Sequence, residues 1–189
     1  MSAIQDVATL CASFGDQILA TVDFRDEQTV QVALAALPKV LENCRHQLGY
    51  EMLLDLSGID HLGDAERFEV VYELATLNDS KRLRVKARVA EDAPVPTAIG
   101  LWGGADWHER EAWDMMVIPF AGHPNLTRIL MWEGYPYFPL RKDFPLAGRP
   151  TDMPDVAFSG VAPLEGGPFV TTSGAPNVVL REPRAHVLE

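Results

Sequence analysis

The sequence predicts an α+β fold: a two-layer domain whose mixed or antiparallel sheet is packed by helices, followed by an extended Pro/Gly-rich tail. Three observations predict it. Residues 67–74 and 82–89 alternate apolar and charged side chains, the period-two mark of half-buried strands. Residues 7–14 and 30–48 instead space their apolar side chains at helical intervals. The length of 189 residues suffices for one domain with a real core, and is too short for two ordinary domains with linkers.

In chain order, Val7, Leu10, Cys11 and Phe14 follow i, i+3, i+4, i+7 and Gly15 comes at once, a short amphipathic helix with a glycine stop. Residues 18–24 read as a brief strand. Val30, Leu34, Leu37, Leu41, Cys44 and Leu48 then form one apolar stripe interrupted by Pro38. Proline removes an intrahelical bond but suits a first helical position, so this is a kinked helix or two abutting ones. After Gly49, residues 50–56 are short and apolar, a buried strand. If Asn78-Asp79 is a two-residue turn, Leu74 faces Leu83, Tyr72 faces Val85, Val70 faces Ala87 and Phe68 faces Val89. The same register sets Glu73 against Arg84 and Glu69 against Arg88, and the agreement of both faces argues for an antiparallel hairpin.

Pro94 and Pro96 open a loop that continues around Trp102. Asp106 reads as an N-cap, with Glu109 completing an Asp-x-x-Glu capping box for a helix over 107–116, and Glu109 and Glu111 lie in its first turns. From Gly148 the remaining 42 residues hold six prolines and five glycines without sustained period, an extended tail. The expected division is therefore a domain over 1–147 and a tail over 148–189.

The net charge is −11, from 16 basic and 27 acidic side chains, which counts against nucleic acid or an anionic membrane as a partner. Residues 1–79 hold 14 acidic and 4 basic side chains, and residues 80–150 hold 8 and 10. The acidity is N-terminal. No apolar run near the N-terminus approaches the roughly 18 residues of a membrane span. The opening lacks a basic stretch followed by an apolar core, so a cytoplasmic chain is expected. Cys11 and Cys44 have no zinc or cluster spacing and read as two buried thiols.

Candidates for chemistry are weak. The stripe Arg82, Arg84, Lys86, Arg88 could track phosphates, but Glu69 and Glu73 offer it partners and no aromatic platform accompanies it. His108, Glu109, Glu111 and Asp114 share one helix and His123 follows, yet the spacing is not His-Glu-x-x-His; a small metal-dependent hydrolase using His108, Glu109 and His123 is the distant alternative. Glycine-rich phosphate loops and nucleophile elbows are missing. What stands out is residues 107–148, where Arg128, Glu133, Arg141, Lys142 and Asp143 interleave with Trp132, Tyr135, Tyr137, Phe138 and Phe144, and where Arg110 and Asp114 form an i, i+4 pair. Arginines and large rings in Pro-rich backbone are what protein interfaces favour.

The stretch Trp107-His108-Glu109-Arg110-Glu111-Ala112-Trp113-Asp114-Met115, then Phe120-Ala121-Gly122-His123-Pro124-Asn125-Leu126-Thr127-Arg128-Ile129-Leu130, then Pro139-Leu140-Arg141-Lys142-Asp143-Phe144-Pro145-Leu146 resembles the signature of the 30 kDa subunit family of respiratory complex I, the C subunit of NADH-quinone oxidoreductase. Residues 57–60, 67–72 and 81–85 resemble the family's strand segments in the expected order. Two departures stand out: Met116-Val117 occupies a place where the family commonly has Phe-Gly, and the link over 132–139 is a few residues longer than usual.

The resemblance implies a non-redox subunit of the peripheral arm, with no cofactor of its own, while FMN, iron–sulfur clusters, NADH and quinone sit on other subunits. It implies docking mainly onto the D subunit of complex I, with the B and I subunits nearby, at the cytoplasmic face of the bacterial inner membrane, with membrane contact only through the complex. Equivalent subunits of membrane-bound hydrogenases or other-donor dehydrogenases share the fold. By residue, Glu109, Arg110, Glu111 and Asp114 belong to the signature helix, which Arg110 and Asp114 would fix. Gly122, His123 and Pro124 would form the turn. Arg128, Arg141, Lys142 and Asp143 would supply charge-paired docking, with Pro145 closing the signature and the tail wrapping the partner.

Overall fold

The computed structural model describes residues 2–145. The tail expected over 148–189, and Leu146 of the signature, lie outside them. A five-stranded sheet carries α1 (Ala3–Phe14), α2 (Leu37–His46) and α3 (Ala105–Met116), an α+β architecture. The strands are β1 (Ile18–Phe24), β2 (Glu27–Val32), β3 (Met52–Asp60), β4 (Phe68–Ala75) and β5 (Arg82–Val89), in spatial order β1-β2-β5-β4-β3. All neighbours are antiparallel except β2 and β5, which run parallel. The two-residue strands β6 (Val95–Pro96) and β7 (Phe120–Ala121) pair beside α3 in sequence.

The alternation in the sequence sorts the two sheet faces. Val30, Val32, Phe68, Val70, Tyr72, Leu74, Leu83, Val85, Ala87 and Val89 are all buried in one cluster with Leu10 of α1, Leu37, Val40, Leu41 and Cys44 of α2, and Ala105 and Ala112 of α3. The other face is laced with ions: Arg84 with Glu73 and Glu27, Lys86 with Glu69, and Arg88 with Asp64. Three of the four cations of the basic stripe, Arg84, Lys86 and Arg88, are thus paired within the chain. The β4–β5 register is the one that pairs Phe68 with Val89 and Leu74 with Leu83. Its turn is longer than two residues, because Lys81 and Thr76 still bond and Ser80 takes a left-handed φ of 54°.

Four local expectations fail. The strand expected to be buried over 50–56 is β3, which begins at Met52 as a sheet edge and is buried only at Leu56 and Asp60. The stripe starting at Val30 is not helical at its start: Val30 and Val32 alternate with Thr29 and Gln31 in β2, where β-branched side chains suit the pleat; from Leu34 it is two abutting helices, a 3-10 turn over Leu34–Ala36 and α2 from Leu37 with Pro38 in its first turn. Cys44 is a buried thiol, pushed up to about 12 by burial, but Cys11 is exposed. α3 is capped by Gly104, with no side-chain cap, so the Asp106–Glu109 capping box does not form.

A buried polar cluster ties the N-terminus in. The Asp6 carboxylate accepts from the Tyr50 hydroxyl at 3.0 Å and the Lys81 ammonium at 2.8 Å, and the Trp102 indole donates to the Tyr50 carbonyl at 3.1 Å. Four chain segments meet there. Each of these polar groups finds a partner, which avoids the cost of an orphaned one. On β3, a Cβ added at Gly58 would lie 2.8 Å from both the Met116 sulfur and Ile118 Cδ1, so the bare backbone lets the end of α3 approach the sheet.

The β1–β2 hairpin closes through Arg25 and Asp26, with φ of 53° and 65°, the conformation of a type I′ turn that favours Asn-Gly. The Arg25 guanidinium lies over the Phe24 ring at 5.1 Å, an exposed contact of about 0.5–1 kcal/mol that offsets only part of the left-handed cost of about 1–2 kcal/mol. The double substitution Arg25→Asn with Asp26→Gly should raise stability by about 1 kcal/mol, read as a higher thermal melting temperature; an unchanged or lower one contradicts the turn assignment.

Candidate interaction surface

Residues 122–145 contain no helix or strand, and α3 organises them. Asp114 is fully buried. Its Oδ2 accepts from the backbone N–H groups of Ile129, Leu130 and Met131 at 3.0, 2.8 and 2.9 Å, while Oδ1 accepts from the Arg128 guanidinium. Burial alone would raise this carboxyl; the bonds from Met131, Ile129, Leu130 and Arg128 outweigh it and hold it below the usual range. Arg128 also donates to the Asp114 carbonyl at 3.2 Å and the Tyr135 carbonyl at 2.6 Å. Its guanidinium lies over the rings of Phe138, Trp113 and Tyr135 at 4.8, 5.7 and 5.8 Å. Trp132 and Tyr135 pack with centroids 4.5 Å apart.

Arg110 does not pair with Asp114. It caps loop carbonyls instead, donating to those of Thr127 at 3.1 Å and Arg128 at 3.0 Å. Three consecutive backbone donors are better matched to the Asp114 carboxylate than a side chain one turn away on the same helix. Gly122 has a φ of 84°, which the turn before His123 and Pro124 requires. His123 Nδ1 accepts from the Asn125 N–H at 3.0 Å, which leaves Nε2 facing Asp106 Oδ1 at 3.2 Å. Pro124 and Glu111 are exposed.

Glu109 is fully buried. It accepts from the Thr97 hydroxyl and the Ala98 N–H, each at 2.6 Å, so it pins the loop before α3. Burial raises its carboxyl above the ordinary range, opposed by the Thr97 and Ala98 bonds. His108 faces Asp55 at 3.3 Å. His108, Glu109 and His123 therefore each serve a different contact, and among the described residues no three metal-ligating side chains converge.

The end of the signature is anchored on the sheet. Arg67 grips Asp60 with two bonds of 2.9 and 2.8 Å and reaches Glu91, which Arg141 also bonds. The Arg141 guanidinium, then Arg67, hold the Glu91 carboxyl below its usual range against desolvation. The Lys142 N–H donates to Asp60 at 2.8 Å, while the Lys142 side chain is exposed. Asp143 and Pro145 are exposed at the end of the described residues. Arg128 and Arg141, expected as docking charges, are engaged within the chain. Sequence reasoning passed over Asp60, Arg67 and Glu91; an arginine with two acids far apart in sequence leaves no local pattern.

Outward on α3 and the segment it organises stand four large apolar side chains, Trp107, Leu130, Trp132 and Leu140, which are 58, 59, 40 and 55% exposed, among the exposed charges of Glu111, Glu133 and Lys142. A model of the family described as respiratory-chain NADH dehydrogenase, 30 Kd subunit, matches residues 30–150. The chain belongs to this family. A family relative, the second C subunit of the NADH-quinone oxidoreductases of Rhizobium meliloti (strain 1021), is 43% identical over 150 residues, covering 76% of this chain and 81% of that one. The NADH-quinone oxidoreductase C subunit of Citrifermentans bemidjiense is 43% identical over 143 residues, covering 75% and 89%. At the level of fold, a chain of an archaeal membrane-bound sulfane sulfur reductase superposes with a TM-score of 0.66 at 19% identity, covering 76% of this chain and 85% of that one. The family's signature helix ends at Val117, whose φ of 68° explains why glycine is at home there: the C-cap of α3 is left-handed.

The two buried acids of α3 should respond to pH with opposite sign. Asp114→Asn, which removes a charge that four donors address, should cost about 2–4 kcal/mol. The stability that Asp114 confers is present at neutral pH and is lost as pH falls below about 3.9. Because the Glu109 carboxyl is raised, its contribution is present at low pH and lost as pH rises above about 4.3. Glu109→Gln should therefore gain on the wild type as pH rises above about 4.3 in paired denaturation curves; parallel curves would show that Glu109 is not raised.

Proposed function

We propose that this chain is the non-redox C subunit of the peripheral arm of a proton-translocating NADH:quinone oxidoreductase, where it docks onto the D subunit near the B and I subunits. The observation that carries this reading is the way the Asp114–Arg128 bonds hold an irregular segment in one conformation while leaving Trp107, Leu130, Trp132 and Leu140 outward. Rigid aromatic and aliphatic anchors on pre-ordered backbone are what a stable contact between subunits uses, since ordering costs are met before binding. The exposed Lys142 adds a charge at the rim of that surface. The names of the relatives at 43% identity favour NADH and quinone as the outer reactants of the complex.

In this role the chain binds no cofactor, and FMN, iron–sulfur clusters, NADH and quinone belong to other subunits. It supports electron transfer to quinone by holding the D subunit. No helix among the described residues is long and apolar enough to cross a membrane. The proposed position is peripheral, on the cytoplasmic face of the bacterial inner membrane, and residues 148–189 would extend the contact along the partner.

Leu130→Asp combined with Trp132→Ala should lower recovery of the D subunit with a tagged copy from solubilised membranes by about tenfold, while the melting temperature of the isolated chain stays put. Wild-type recovery of that partner would sink the docking claim. Recovery of a hydrogenase in place of an NADH-oxidising module would redirect the donor assignment.

A further inference from the structure

β1 ends the sheet on the side opposite β3, the strand whose Gly58 receives α3. One side of β1 pairs with β2, and its other side meets no strand among the described residues. Every β1 residue after Ile18 is exposed. Leu19, Val22 and Phe24 are 57, 53 and 62% exposed, and the strand Ile-Leu-Ala-Thr-Val-Asp-Phe contains no lysine, arginine or proline. Natural edge strands are blunted by such residues because a bare apolar edge templates pairing with another chain. The irregularity between Ile18 and Ala20 interrupts only the start of this edge; from Ala20 to Phe24 it runs in regular register with β2, with Asp23 as its one charge, and such an edge can receive a strand.

The charge around it selects the guest. Asp16, Asp23 and Asp26 are exposed around the strand, and none has an ion pair among the described residues. Arg25 lies over the Phe24 ring at 5.1 Å, and Glu27 is already bonded to Arg84. A second copy paired edge to edge would set these aspartates against themselves, a like-charge arrangement that disfavours association. The chain's own residues 146–189 carry five acidic and three basic side chains, again the wrong sign.

We propose that the β1 edge receives, by strand addition, an extended basic segment of a second subunit, at the end of the sheet opposite the α3 surface. Backbone bonds along β1 supply affinity, Leu19, Val22 and Phe24 seat alternate apolar side chains, and the aspartates take lysines or arginines at the rim. The chain then bridges two partners. This rests on the assembly reading only in placing the chain within a complex, and not on which partner the α3 surface contacts.

The test uses the full chain in the assembled complex, with a photoreactive benzophenone side chain placed at Val22 or, separately, at Leu130. The Val22 probe should join a peptide of another subunit that carries net positive charge and differs from the peptide joined at Leu130. Its yield should fall about tenfold in the Asp16→Lys, Asp23→Lys variant, and should fall in the wild type as salt is raised. No Val22 product, a product with a second copy or with residues 146–189, a product with an uncharged or acidic peptide, or a yield indifferent to the aspartate reversals overturns the proposal. Thermal melting of each variant reports its folding, and the Val22 product in the otherwise wild-type chain decides the matter even if the reversed variant melts early. Loss of the Leu130 product alone would count against the proposed α3 docking and leave the β1 assignment standing.

Discussion

One carboxylate sets the path of the irregular segment that follows β7. Asp114 gathers three consecutive backbone N–H groups and a guanidinium, and nothing else in residues 128–142 has a helix or strand to rely on. Backbone polar groups in irregular structure must still find partners. Here one buried anion serves several of them and in turn orders Arg128, whose rings and carbonyl partners then define the path through Tyr135 and Phe138. The second anchor is the Asp60–Arg67–Glu91–Arg141 chain of ion pairs. Between them, segments distant in sequence are fixed without regular secondary structure.

The two fully buried acids of α3 show two solutions to the same problem. Asp114 is surrounded by donors and stays ionised. Glu109 has two donors at 2.6 Å, too few to offset its desolvation, so its carboxyl shifts upward. Glu109 and Asp114, which by type alone suggested acid–base or metal chemistry, each hold a loop against α3.

What the sequence made legible follows from periodicity. The β4–β5 register could be read because both faces agree, with apolar pairs on one side and Glu69 opposite Arg88 and Glu73 opposite Arg84 on the other. α1 could be read because Gly15 stops it where the stripe ends. β2 could not: Val30 falls on a helical stripe by coincidence, and what makes it part of a strand is β5, which lies far along the chain. The β1–β2 turn escaped notice because Arg25-Asp26 has none of the residues such turns prefer. At the surface, sequence picked out the signature residues but not their pairings. Arg110 and Asp114 sit one helical turn apart, yet each is committed to the loop beyond α3, and only three-dimensional proximity reveals the donors that outcompete the local pair.

The parallel pairing of β2 with β5 joins Gln28 to Leu83, 55 positions later in the chain. During synthesis the β1–β2 hairpin leaves the ribosome well before the strand that completes its inner side exists. Throughout that interval both of its long edges are bare, and Val30 and Val32, buried in the finished sheet, face water. Contacts of such long sequence separation form late because loop closure must precede their reward. The growing chain is therefore most vulnerable to mispairing before residue 89 is made, so the order of translation, as much as the final packing, bears on how much of this protein reaches its complex.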